Sequence, residues 1–193
     1  MTRQAGLWWL WAGLMAPLLW LCLAGADADP DALVAASGNW AMAWLAAALV
    51  MTPAARLWPA LLGWLWLRRG VGLAAAAASL VHLWLYVGAM AAYAEPGGLA
   101  ALVWGEAATP GILTGWAGLL LLVPPALASR DAAMRRLGAA WKRVQRLAWP
   151  AAALALLHMG IVHDGLNGAL AVAALVIAAQ AMRFFPANRK ANP

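Results

Sequence analysis

The sequence predicts an all-α membrane protein, a bundle of six transmembrane helices with both termini in the cytoplasm (N-in/C-in). Composition is the first reason. Of 193 residues, 66% are hydrophobic and 10% are charged, where a soluble domain has roughly 45–50% apolar and about 25% charged residues. Folded in water, such a chain would expose large apolar patches. Its mean hydropathy of +0.76 also sets it apart from disordered chains, which are polar and charged. The second reason is a series of six apolar runs near the length of about 20 residues that crosses a bilayer as a helix. The third is charge, which alternates between the two sets of connections. A single transmembrane domain over residues 1–193 follows, with no room for a separate soluble catalytic domain.

The runs fall at 7–24, 33–52, 71–92, 110–128, 147–162 and 167–185. The first follows Arg3 and ends in LAGADADP, which also resembles a signal peptide with a small-residue cleavage site; its length favours a retained span. Thr52-Pro53 is a stop for the second. Residues 58–67, WPALLGWLWL, are too short to span and place Trp58, Trp64 and Trp66 beside Arg68 and Arg69, as an interfacial helix would. The third run opens with the Ala-rich stretch 74–78. Thr109 and Pro110 read as N-cap and first helical residue of the fourth, and Pro124-Pro125 weaken its end. Residues 130–146 are a basic amphipathic segment. Pro150 lies in the first turn of the fifth run, where it is tolerable. Asn167 can cap the sixth, and Phe185-Pro186 closes it. No tandem repeat is evident.

All 13 Lys and Arg sit on one side of this arrangement: Arg3, Arg56, Arg68, Arg69, Arg130, Arg135, Arg136, Lys142, Arg143, Arg146, Arg183, Arg189 and Lys190. Asp27, Asp29, Asp31, Glu95, Glu106 and Asp164, six of the 7 acids, occupy the other. The positive-inside rule then puts both termini of this multi-pass chain in the cytoplasm. The net charge of +6 does not indicate nucleic acid, because the basic residues lie between apolar runs rather than on a polar patch. The single cysteine, Cys22, excludes an internal disulfide and any CxxC pair.

Hydrolase, Walker-loop, dinucleotide and zincin motifs are absent, and the carboxylates fall in connections. Histidine is what remains inside the membrane. His82 and His158 each lie about 11 residues into runs three and five, which run in the same direction, so both imidazoles reach one depth in the outer half. Two imidazoles facing each other suit a six-coordinate haem iron. The same spacing also suits a proton path, or two histidines that merely bond to neighbouring helices. Ala75, Ala78 and Ser79 flank His82, and Ala151, Leu154 and Ala155 flank His158; such residues leave room for a macrocycle or for close helix contact. His163, rotated about 140° from His158, adjoins Asp164 at the outer surface and reads as a solvated loop residue. Arg68 and Arg69 are candidates for a flavin phosphate, a quinone head group or anionic lipid, although topology accounts for them as well.

Several stretches resemble one family. MTPAARLWP follows span two, RRGVGLAAAAASLVHLWLY surrounds His82, and AMRRLGAAWKRVQRLAW precedes ALALLHMG around His158. In their order and spacing they are similar to the haem-binding membrane subunits of bacterial periplasmic methionine-sulfoxide reductases, the MsrQ/YedZ family of the ferric-reductase-like transmembrane group. The resemblance implies haem b with His82 and His158 as axial ligands. It implies an electron-transfer subunit, fed by the quinone pool or by a flavin reductase, with FMN as a further cofactor. The substrate chemistry would lie on a partner, a periplasmic molybdenum-containing methionine-sulfoxide reductase. A stand-alone ferric or quinone reductase, a non-haem transporter and a membrane scaffold are the alternatives. One position departs from the family, which usually has a histidine 13 residues before the span-five ligand; here it is Gln145. With Arg68 and Arg69 at the matching positions before His82, one haem per chain is expected rather than two.

Overall fold

The computed structural model describes residues 29–162 and 165–184, together with positions 13, 15, 16, 19 and 23. The expected first span, Cys22, the His163-Asp164 pair and the Phe185-Pro186 stop lie outside the continuously described residues. Everything described with regular structure is helical. The order is α1 (Pro30–Leu57), a 3-10 turn (Pro59–Trp64), α2 (Leu67–Ala91), α3 (Leu99–Ala107), α4 (Pro110–Leu127), α5 (Asp131–Leu137), α6 (Ala140–Gln145), α7 (Ala148–Val162), α8 (Leu166–Ala181) and a closing 3-10 turn (Met182–Phe184). Among the described residues four segments are long and apolar enough to cross a membrane: Pro30–Leu57, Leu67–Ala91, Pro110–Leu127 and Leu166–Phe184. The chain is therefore a multi-pass membrane protein. The expected fifth span forms a helix of 15 residues, about 22 Å long and short of a straight crossing.

The first hairpin shows how sequence and packing divide the work. Asp29 caps α1, its carboxylate accepting the Asp31 N–H at 3.2 Å, and Pro30 occupies the first turn. The helix then continues through Thr52-Pro53 to Leu57, against the expected stop. Pro53 has no N–H for the Leu49 carbonyl one turn back. The Gln180 side-chain amide of α8 donates to that carbonyl at 3.0 Å instead, and Pro53 itself is fully buried. A tertiary hydrogen bond thus substitutes for the missing backbone bond. Pro124 and Pro125 likewise sit inside α4 rather than ending it.

Other boundaries also moved. Within the 58–67 segment only Pro59–Trp64 form a 3-10 turn, which leads into α2, with Trp58, Trp64 and Trp66 exposed. Residues 130–146 split into α5 and α6 at Gly138, whose φ of 51° favours glycine. Gly165, not Asn167, is the N-cap of α8. The acid-bearing connection between α2 and α4 contains α3, a helix the apolar pattern did not separate from its surroundings.

The main packing is pairwise, α1 against α2 and α4 against α7, with α8 laid on α7 and α1. The core joins both pairs through Met42, Leu45, Ala46 and Leu49 of α1, Ala75 of α2, Leu122 of α4, Ala151 and Ala152 of α7, and Val176 of α8. Met15 packs against a second cluster at Ala41 and Ala78.

Candidate functional site

The two histidines meet. The imidazole rings of His82 on α2 and His158 on α7 lie 5.9 Å apart between centroids, with their planes at 79°. Each ring is held from behind by a backbone carbonyl on the partner helix of its own hairpin. His82 Nδ1 lies 2.9 Å from the Val34 oxygen, and His158 Nδ1 lies 2.9 Å from the Gly111 oxygen. A carbonyl only accepts, so Nδ1 carries the proton in both neutral rings. Nε2 is then the lone-pair nitrogen, the form in which histidine binds a metal.

The helix surface behind each ring is cut to fit. A Cβ at Gly38 would sit 3.0 Å from His82 Cε1, and one at Gly115 would sit 2.9 Å from His158 Cε1. Ser37 and Thr114 precede these glycines and bond back to the same carbonyls, Ser37 Oγ donating to Val34 at 2.8 Å and Thr114 Oγ1 donating to Gly111 at 2.6 Å. Val34, Ser37 and Gly38 thus recur 77 positions later as Gly111, Thr114 and Gly115. The fold uses one device twice, although the sequence shows no tandem repeat.

The rings border a cavity of about 440 Å³ lined by both glycines, by Ala151, Ala155 and Gly118, and by the apolar side chains of Met42, Leu45, Leu119 and Leu122. That volume falls among those of cofactor pockets. Ser79, on the His82 face, lines the cavity and donates to Ala75 at 2.9 Å. Among the described residues no cluster of three or more His, Cys, Asp or Glu could hold a bare metal ion. Two imidazoles supply only the axial pair of a six-coordinate centre, so the donor set suits a metal that brings its other ligands in a macrocycle. Metal–imidazole bonds of about 2 Å on either side would put the ring centres about 6 Å apart, in keeping with the observed separation.

Part of the cavity lining is polar. Asp31, Asn39, Tyr86 and Glu106 belong to it, and the Tyr86 hydroxyl donates to Glu106 Oε2 at 3.1 Å. These residues were missed because acids were expected in plain connections, whereas α3 folds Glu106 back over the site. One signal was present: Tyr86 is one helical turn beyond His82 and shares its face. Trp116 also lines the cavity and stacks at 13° on the exposed Trp104 of α3.

The remaining candidates lie elsewhere. Arg68 Nε donates to the Ala48 carbonyl at 3.0 Å, and Arg69 pairs with Asp131. Neither lines the cavity. Gln145 Nε2 donates to the Pro125 carbonyl at 3.0 Å, where Ser129 Oγ also donates, at 2.8 Å. Together they satisfy a carbonyl in the last turn of α4, which has no helical partner of its own.

Comparison with known proteins finds consistent relatives. The chain is 36% identical over 185 residues to the protein-methionine-sulfoxide reductase heme-binding subunit MsrQ of Rhodospirillum rubrum, covering 90% of this chain and 85% of that one. Against the MsrQ of Deinococcus radiodurans it is 36% identical over 170 residues, 84% of this chain and 79% of the relative. Against that of Caulobacter vibrioides it is 34% identical over 158 residues, 77% and 71%. No family profile and no solved structure matches the chain.

Proposed function

The chain belongs to the MsrQ family of protein-methionine-sulfoxide reductase heme-binding subunits, and from that premise we propose that it is a one-haem electron-transfer subunit of the inner membrane. It takes electrons from quinol, or from a reduced flavin such as FMN, and delivers them to a periplasmic molybdenum-containing methionine-sulfoxide reductase. The observation that carries the reading is the close imidazole pair, with each Nδ1 within hydrogen-bond distance of a helix carbonyl. Haem b, when bound, supplies a one-electron carrier.

The chain's own residues supply the rest. His82 and His158 would hold the haem iron. Gly38, Gly115, Gly118, Ala151 and Ala155 leave room for the ring, while the leucines and Met42 keep water from it. The Tyr86–Glu106 pair closes the end opposite the basic connections, which faces the periplasm in a six-span, N-in/C-in arrangement. The inner layer supports a count of one haem, because Arg68 and Gln145 are both committed to helix carbonyls.

The test is a reduced-minus-oxidised optical spectrum of the purified protein, expressed with ample haem, with pyridine-haemochrome quantitation. About one b-type haem per chain is expected, reduced by a quinol and reoxidised only when the periplasmic reductase is added. No haem would overturn the reading in favour of a transporter or scaffold. Reoxidation by ferric chelates alone would favour a stand-alone reductase.

A further inference from the structure

We propose that Ser37-Gly38 on α1 and Thr114-Gly115 on α4 are paired positioning residues, which fix the tautomer and the rotation of the His82 and His158 imidazoles. The inference rests on the haem reading above and adds the elements that prepare each ligand. The helix explains why these two residue types stand together. A carbonyl at position i points toward residues i+3 and i+4, and the Cβ at i+4 leans back toward it. Glycine at i+4 removes that Cβ and lets an imidazole edge reach the oxygen from the side. At both sites the ring occupies the space a methyl would fill, 3.0 Å away at Gly38 and 2.9 Å at Gly115.

The hydroxyl at i+3 acts on the same oxygen. By donating to it, Ser37 and Thr114 each turn their lone pairs outward. At Ser37 those lone pairs meet the ring, since Oγ lies 3.0 Å from His82 Nδ1. The Nδ1–H of His82 is therefore shared between Val34 O and Ser37 Oγ. Ser37 is 0% exposed, so no water takes over its role. The two cradles stand on different helices, and the rings they hold lie near perpendicular, at 79°.

Acceptors on Nδ1–H raise the electron density at Nε2 and favour the oxidised metal. Replacing Ser37 by alanine should then leave the haem content unchanged but move the midpoint potential upward and shift the ferric low-spin electron paramagnetic resonance signal. That signal should be of the strongly axial type produced by near-perpendicular imidazole planes. Ser37→Thr should restore both readings, and Thr114→Val should produce the smaller shift. An unchanged potential and signal in Ser37→Ala would overturn the proposal while leaving the haem reading intact. Nitrogen-15 NMR of the histidines in the haem-depleted full chain supplies a readout that does not need haem. Protonated Nδ1 in wild type, with a mixed tautomer in Ser37→Ala and Gly38→Ala, supports the proposal. A ring protonated at Nε2 in wild type sinks it, whatever the haem content.

Discussion

The hairpins α1–α2 and α4–α7 each build half of the site by one plan and close-pack it by different means. In α1–α2 the smallest surface belongs to the histidine-bearing helix: Ala74, Ala75 and Ala78 of α2 are 0% exposed. In α4–α7 it belongs to the facing helix. Gly111, Gly115 and Gly118 form a stripe on α4 beneath Val162, His158 and the Ala151–Ala155 turn. Alanine keeps helix propensity, whereas each glycine sacrifices up to about 1 kcal/mol of it. The second hairpin accepts that loss three times, and its histidine helix is the short one. Place in the fold, rather than local sequence similarity, is what the two halves share. Fourteen residues further along from Val34 and from Gly111, the carbonyls of Ala48 and Pro125 again accept side-chain bonds, from Arg68 and Gln145. The plan therefore runs through two layers, and only the layer containing Val34 and Gly111 carries imidazole.

The largest expected effect comes from emptying one half of the pair. His82→Ala and His158→Ala should each abolish the low-spin haem spectrum, because one axial ligand cannot sustain a six-coordinate iron. His163→Ala should leave it largely intact. A spectrum lost in His163→Ala and kept in His158→Ala would break the equivalence of the hairpins.

Next come the glycines, which sharpen the comparison. An added methyl meets His158 at 2.9 Å from both Cε1 and Nδ1, but meets His82 at 3.0 and 3.2 Å. Gly115→Ala should therefore displace its ring more than Gly38→Ala does. Overpacking of this kind typically costs about 1–3 kcal/mol, and the low-spin fraction in the spectrum should fall further in Gly115→Ala. The reverse order would mean that the α1 side, not the α4 side, is the rigid one.

How far the sequence discloses this site differs by residue. His82 and His158 were legible because an imidazole in an apolar run stands out, and helix geometry alone gives its depth. The spans were legible wherever apolar length and charge agreed. Pro53 was misread because its missing bond is restored from Gln180, more than a hundred residues away, which no local rule can see. Glu106 was misread because a nine-residue helix folds back to place it at the cavity. Ser37-Gly38 and Thr114-Gly115 were on the page as a hydroxyl followed by glycine in two helices of like position. Their meaning depends on which carbonyl lies one turn behind, and only packing reveals that.

Pro53 itself offers a mid-sized test of the first hairpin against the second. Gln180→Ala removes the donor to the Leu49 carbonyl in a buried setting, which should cost about 1–3 kcal/mol. Pro53→Ala returns a backbone N–H to that carbonyl, so the double variant should recover much of the loss in thermal unfolding of the detergent-solubilised protein. Equal losses with and without Pro53 would show that the amide serves only packing. Loss of the Gln145 amide should be milder, since Ser129 Oγ also serves the Pro125 carbonyl.

The smallest effect belongs to the link between the hairpins. Arg69 at the start of α2 pairs with Asp131 at the start of α5, both exposed. First by hydrogen bond and then by charge, Arg69 holds the Asp131 carboxyl below its ordinary value of 3.8. A carboxyl lowered by folding contributes fully above its unfolded pKa and loses that contribution as pH falls through the folded one. Exposed pairs are weak and are screened by salt, so Asp131→Asn should lower the melting temperature only slightly at pH 7 and low salt. That difference should shrink on adding salt and disappear in acid below the folded pKa. Asp131 also sits in the first turn of α5, where a negative charge is favourable without any partner. Arg69→Gln separates the two causes: if the pair matters, it reproduces most of the Asp131→Asn deficit, and the double variant is no worse. Additive losses would assign the effect to the helix terminus and leave the two hairpins joined by apolar packing alone.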